Sequence, residues 1–327
     1  MPDAAAGKPV FTQRKPPAMK KIVRLSAALL GVILLLIAFW AIKNYHKDIP
    51  VEVLKEKYAY PDSRFTEVMG MNVHYRVTGT GFPLVLIHGT AASLHTWEAW
   101  TDILSPHFQV ISFDLPAYGL TGPHPERRYT VPDYVEFVDA FLNKIGVDSC
   151  HMAGNSLGGD ITWQYAAEHP EKVGKIILLD PSGYPVNRPP SLAFRLVKKP
   201  LLKNILLKIT PKSLVEKSLK EVLYNDELAT DERITRYFEM AIREGNRQAF
   251  ADRVLQVLPP DTLKVRTVQR PALILWGAND EWIPLEHAYK FKRDLPDAKL
   301  IVYEQCGHIP MEEIPEKSAA DALQFLQ

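Results

Sequence analysis

Three side chains lying far apart in this chain have the types and settings that nucleophilic chemistry needs: Ser156, Asp280 and His308. A serine hydroxyl is a weak nucleophile until a base removes its proton, and the base must be held in one tautomer by an acid. Ser156 stands in His151–Asp160, HMAGNSLGGD, with Gly154 and Gly158 two residues to either side. A turn tight enough to present that hydroxyl leaves room for only small side chains at those two places. An apolar run precedes the turn, and Asp160–His169 reads as an amphipathic helix after it, so the setting is the strand, turn and helix of a nucleophile elbow. Such a helix aims its first N–H groups, and the positive end of its dipole, at charge developing beside the serine. The five-residue pattern alone can arise by chance in 327 residues. Its partners decide the matter.

Those partners emerge from buried strands. Asp280 follows Leu273–Trp276 within WGANDEWIP, and His308 follows Leu300–Tyr303 within QCGHIPME. Further apolar runs at Leu84–Ile87, Val110–Phe113 and Ile176–Leu179 suit strands covered on both faces. Met71–Val77 alternates like a half-buried strand, and Val131–Leu142 and Ala319–Leu326 read as helices. This alternation predicts a doubly wound α/β fold with a mostly parallel central sheet. All three reactive residues then leave the sheet at its C-terminal edge, where open α/β sheets place their ligands. Ser, Asp, His is also the chain order of the elbow arrangement.

Taken together, these residues make the chain resemble the α/β-hydrolase superfamily over about residues 63–327. The resemblance is carried by His88-Gly89-Thr90, Asp114–Gly119, Gly154–Gly158, Gly277–Asp280 and Gly307-His308. It implies Ser156 as nucleophile, His308 as general base and Asp280 as the orienting acid. It also implies an oxyanion hole built from the backbone N–H groups of Thr90 and Leu157, with Gly89 allowing close backbone approach. Asp180 ends a strand at a place that supplies the acid in some members, but Gly277-x-x-Asp280 matches the commoner location. Asp114 is expected to organise the Pro116–Gly119 turn, and Asp160 to stabilise the start of its helix. A serine nucleophile sets the chain apart from the aspartate-dependent dehalogenases and epoxide hydrolases. The expected activity is ester cleavage through an acyl-enzyme, in the manner of monoacylglycerol lipases. Second stands carbon–carbon bond hydrolysis of aromatic ring-cleavage products, whose enzymes commonly carry Trp after the catalytic His where this chain has Ile309. Cofactor-free peroxidases and perhydrolases share the triad, and a ligand-binding module without turnover is a further alternative.

Between Pro185 and Val268 the strand pattern stops, which predicts a helical cap inserted at about 186–268. Its first part, Ser191–Lys220, mixes many leucines with Arg195, Lys198, Lys199, Lys203, Lys208, Lys212, Lys217 and Lys220 against one acid, Glu216. The plain reading is a solvated basic face; the alternative is a surface touching anionic lipid. Leu25–Ile42 has no charge and the length of a membrane span. Arg14, Lys15, Lys20, Lys21 and Arg24 before it predict a cytoplasmic tail over 1–24, an uncleaved anchor over 25–42 in preference to a removed signal peptide, and a catalytic domain outside the cytoplasm. Residues 43–62 read as a polar tether. A net charge of +1 argues against nucleic acid as partner. Only Cys150 and Cys306 are present, so two free thiols are expected rather than a disulfide framework. No metal cluster, phosphate-cradling loop or dinucleotide fingerprint is legible, and no cofactor is expected. Acyl length, alcohol group and oligomeric state are not encoded in any motif.

Overall fold

In the computed structural model, which describes residues 17–327, the apolar runs assemble into an eight-stranded sheet. Its strands are β1 (Arg64–Val68), β2 (Met71–Thr78), β3 (Pro83–Ile87), β4 (Gln109–Phe113), β5 (Cys150–Asn155), β6 (Val173–Leu179), β7 (Ala272–Gly277) and β8 (Ala298–Tyr303). They lie in the order β1-β2-β4-β3-β5-β6-β7-β8. β2 pairs antiparallel with β1 and β4, and every other pairing is parallel. β7 is buried along its whole length and β3 along all but its first residue, as strands covered on both faces must be. β1 was not legible in the sequence, because this edge strand carries charge and is mostly unburied.

Helices cover both faces. α1 (Pro17–Lys43) and α2 (Val51–Tyr58) precede the sheet, and α3 (Glu98–Leu104), α4 (Val131–Ile145) and α5 (Leu157–Glu168) lie among its first strands. Between β6 and β7 come α6 (Leu192–Val197), α7 (Pro200–Leu206), α8 (Lys212–Val222), α9 (Asp231–Ala241) and α10 (Asn246–Leu255), the helical insertion expected at 186–268. α11 (Glu286–Asp294), α12 (Pro310–Glu313) and α13 (Pro315–Leu326) complete the chain. Side chains of β3 alternate between two cores. Val85 and Ile87 join Phe137 and Phe141 of α4 and Ile161 of α5. Leu84 and Leu86 join Trp100 of α3 and Ala322 of α13. Each fully buried aliphatic or aromatic chain of this kind stabilises the fold by about 1.5–3 kcal/mol. α4 starts where its sequence says it should: Thr130 and Asp133 form a reciprocal capping box, and Gly146 ends it in the left-handed region.

Two expectations need correcting. The elbow helix α5 is not amphipathic; Leu157–Gly159 and Ile161–Ala166 are all buried, because it runs over the middle of the sheet. The tether is not a tether either. The chain divides into two compact units after Tyr45, and residues from His46 onward belong to the globular one. Ile49 N–H donates to Ile242 O and Glu244 N–H to Ile49 O, both at 2.9 Å. Leu54 of α2 is buried with Leu120 and Met240, and both Lys57 and Tyr58 bond to Glu239 at 2.7 Å. The segment looked like a linker because its partners lie some 180 residues away, out of reach of any local pattern.

The other unit contains α1. Lys21–Lys43 runs for 23 residues and contains an 18-residue stretch of mean hydropathy 2.7, long and apolar enough to cross a membrane. It extends the expected span of 25–42 by a turn at its start. The first 16 residues of the expected cytoplasmic tail lie outside the described residues. Both cysteines are free and buried.

Candidate active site

Ser156 links β5 to α5 with φ 54° and ψ −114°, a left-handed-side conformation costly for any residue but glycine. The glycines on either side are sterically required. A Cβ on Gly154 would meet Gly158 O at 2.1 Å, and one on Gly158 would meet Ile87 O at 2.0 Å. A Cβ on Gly89 would stand 3.2 Å from that of Ser156, so the loop after β3 also closes on the serine. Strain of this kind persists only where surrounding packing fixes it, and here β3, β5 and α5 do so.

His308 Nδ1 lies 2.6 Å from Asp280 Oδ2, with both side chains buried. A carboxylate only accepts, so Nδ1 carries the proton and Nε2 is left as an acceptor. Nε2 is buried with no partner, and His308 and Ser156 line the same cavity. Serine and imidazole are not hydrogen-bonded to one another in this ligand-free arrangement, a contact that commonly tightens only with substrate. Asp280 is fixed in turn: its Oδ1 accepts from Trp282 N–H at 2.7 Å and Ile283 N–H at 2.9 Å.

Asp180 lies close by. It, Asp280 and His308 bring their polar atoms within 4.8 Å of one another. Asp180 Oδ1 accepts from Gly277 N–H at 2.9 Å, while Oδ2 is buried without a partner. Burial and then the neighbouring Asp280 carboxylate raise the Asp180 carboxyl well above its usual range. Two carboxylates and an imidazole could in composition hold a metal ion. Here, however, both Asp280 oxygens, His308 Nδ1 and Asp180 Oδ1 already bond within the chain.

Of the expected oxyanion donors, Leu157 is the first residue of α5, and its N–H has no acceptor among the described residues. Thr90 N–H is likewise unspent. His88, buried, donates from Nδ1 to Gly89 O at 2.7 Å while its Nε2 accepts from Leu115 N–H at 2.9 Å. Burial lowers its pKa and keeps it neutral, as that pair of bonds requires. Because a trans peptide points its C=O and N–H in opposite directions, clamping Gly89 O turns Thr90 N–H the other way.

Several positioning residues escaped the sequence reading. Asn155 Nδ2 donates to His308 O at 2.9 Å, tying the serine's strand to the histidine's loop. His308 N–H donates to Val222 O of α8 at 2.7 Å, so the cap helps hold the base. Glu313 accepts from Gly307 N–H at 2.6 Å and from Tyr224 N–H at 2.7 Å, joining cap and loop again. Glu312 takes the Tyr237 hydroxyl of α9 at 2.5 Å. None of these pairs has a motif, and all but Glu313–Gly307 join segments remote in sequence. Asp160 stands in the first turn of α5, where Gln164 donates to it at 2.8 Å and burial pushes its pKa up to about 6.

Asp114 does organise the turn. Its Oδ1 accepts from Leu94 N–H and its Oδ2 from Leu120 N–H, both at 2.7 Å, and His74 Nδ1 stands 2.8 Å away. Burial would raise this carboxyl, but His74 and the other bonds outweigh it and hold the pKa at about 2. A depressed carboxylate contributes stability above its unfolded pKa of 3.8, and loses it as pH falls through about 2. Asp114→Ala leaves two N–H groups and His74 Nδ1 unpartnered, and should cost about 3–5 kcal/mol at neutral pH. Urea unfolding across pH should show that deficit shrinking between pH 4 and 2; a constant deficit counts against this account.

The sequence profile of the alpha/beta hydrolase fold family matches residues 83–205 and 208–315, covering β3 to β8, the elbow, the cap and the histidine loop. The chain is an α/β-hydrolase. Among its relatives, an uncharacterized hydrolase, YugF, of Bacillus subtilis is 29% identical over 285 residues, 82% of this hydrolase and 98% of the relative. A 2-hydroxy-6-oxo-6-(2'-aminophenyl)hexa-2,4-dienoic acid hydrolase of Metapseudomonas resinovorans is 28% identical over 282 residues, 83% of this hydrolase and 93% of the relative. The crystal structure of a membrane phospholipase A, described as a bacterial virulence factor, superposes with a TM-score of 0.70 at 26% identity. That match covers 94% of this hydrolase and 97% of the phospholipase.

Proposed function

We propose that this hydrolase cleaves carboxylic esters through an acyl-enzyme on Ser156, and that acyl lipids are its substrate class. The observation that carries the reading is the 2.6 Å Asp280–His308 bond beside a cavity that Ser156 also lines. Ser156 Oγ attacks the ester carbonyl carbon as His308 Nε2 takes its proton, and Asp280 steadies the imidazolium that forms. The carbonyl oxygen becomes an oxyanion between the N–H groups of Thr90 and Leu157, at the positive end of α5. Collapse of the tetrahedral intermediate expels the alcohol, which receives the proton from Nε2. Water, deprotonated by His308, then attacks the acyl-Ser156 carbonyl and releases the acid, restoring the hydroxyl.

The lipid part rests on the cavity and on α1. The cap walls of the cavity are largely apolar, with Phe194, Leu206, Leu207, Leu214 and Phe250 among them, a lining that suits an acyl chain. We read α1 as the membrane anchor, with the basic residues before it in the cytoplasm and the catalytic domain outside.

A series of p-nitrophenyl esters of rising acyl length tests this. Activity should persist to medium and long chains and vanish in Ser156→Ala; no turnover at any length would sink the reading. The second reading, carbon–carbon bond hydrolysis, is favoured by the 28% identity to a dienoic acid hydrolase. Faster loss of a ring-cleavage product's visible absorbance than of any ester would put it first.

A further inference from the structure

We infer that the outer face of α6 and α7 is a docking surface for an anionic lipid bilayer, an inference that rests on α1 being a membrane anchor. The first ground is composition. From residue 181 to 215 the chain has no acidic residue, while Lys198, Lys199, Lys203 and Lys208 cluster on or beside α7. Lys220, farther along the cap, is paired with Glu216; those four lysines have no carboxylate partner among the described residues. The second ground is exposure. Leu201, Leu202 and Ile205 are 74%, 40% and 43% exposed on a helix of seven residues, with Lys198, Lys199 and Lys208 exposed around them. Leucines set among cations are what an interfacial helix inserts below anionic head groups.

The third ground is where the chain holds this face. α1 ends at Lys43, and His46 is already fixed to the cap: its carbonyl accepts from Arg247 Nη2 at 2.8 Å and its ring meets Phe238 at 4.9 Å. Asp48 takes the same guanidinium at 2.9 Å from Nε. Three residues span at most about 11 Å, so a membrane-spanning α1 keeps this edge of the cap at the bilayer by covalent reach alone. Arg247 Nη1 also lies 3.5 Å from Thr210 Oγ1, which donates to Leu206 O at 2.8 Å. One arginine thus connects the membrane-proximal segment to the end of α7. The same helix turns Lys203, Leu206 and Leu207 to the cavity that holds Ser156. A lipid leaving the bilayer past α7 would pass directly into that cavity.

The test uses the full chain carrying Leu201→Cys and an environment-sensitive dye, since native Cys150 and Cys306 are buried. It is placed in nanodiscs of phosphatidylcholine, with and without phosphatidylglycerol. The label at 201 should brighten several-fold and resist aqueous iodide in the phosphatidylglycerol discs, while a label at Tyr289→Cys on α11 should stay quenchable. Combined Lys198→Gln, Lys199→Gln and Lys208→Gln should abolish the phosphatidylglycerol dependence. A label at 201 as quenchable as that at 289 in both discs overturns the docking surface. Shielding in detergent that rises with protein concentration overturns it too, naming a second copy as the occupant. Extraction of the chain from bilayers by alkaline carbonate would instead remove the anchor on which the inference stands. Ser156-dependent turnover of a short soluble ester reports the hydrolase reading separately.

Discussion

Ser156→Ala should lower kcat by on the order of 10⁴ or more, with the fold intact. The substitution removes the Oγ that the proposed mechanism acylates, and nothing else. It leaves the Asp280–His308 pair, the Thr90 and Leu157 N–H groups and the cavity walls in place, so substrate should still bind and KM should change little. Stability should be equally unaffected. Alanine keeps the Cβ of serine, so the strain at φ 54° is neither relieved nor increased, and Ser156 Oγ makes no hydrogen bond whose loss would orphan a partner. Pre-steady-state kinetics with a p-nitrophenyl ester should show a burst of product equal to enzyme in the parent protein and none in the variant. An undiminished burst, or an acyl group found by mass spectrometry on another residue, would remove Ser156 from its role.

Asp280→Asn and Asp180→Asn should give opposite results, although the two carboxyls are neighbours. At 280 the carboxylate accepts the proton-bearing Nδ1 of His308 at 2.6 Å. An amide there can present its NH₂ instead, which stabilises the tautomer with the proton on Nε2 and leaves no lone pair facing the serine. A loss on the order of 10⁴ in kcat is expected, as when the acid of a Ser-His-Asp triad is replaced by its amide. At 180 burial and the adjacent Asp280 carboxylate push the carboxyl well above its usual range, which favours its neutral form. Asparagine is nearly its isostere, and its amide oxygen still accepts the Gly277 N–H. Less than about a tenfold loss is expected. Parallel kcat measurements on the two variants decide the point, and the reverse pattern would exchange the roles of the two acids.

The site was legible because chemistry constrains residue type at each of its members. Gly154 and Gly158 reveal the elbow because backbone carbonyls occupy the space a Cβ would need. Asp280 and His308 stand just past buried strands, where a parallel sheet exposes the residues that follow. Asp180 also ends a strand, yet the pattern Gly277-x-x-Asp280 favoured Asp280, and Asp280 is the acid found on Nδ1. Residues 46–62 were misread because their partners lie elsewhere in the chain. VEVLKEKY offers one core leucine amid charges; its Lys57 finds Glu239, and Asp62 after it finds Arg76, only after folding.

What the amino-acid order determined by itself was the periodic apolar runs, hence the strands and their covering helices, together with the small and polar residues that chemistry demands at the turns between them. These depend on interactions a few residues long, and so they survive reading along a line. Tertiary structure alone decided how Asn155, Val222 and Glu313 brace the His308 loop to its surroundings, and that the stretch after the apolar N-terminal helix is fastened to the cap. Each of those outcomes rests on contacts between segments far apart in the chain, and only packing in three dimensions sets such distances.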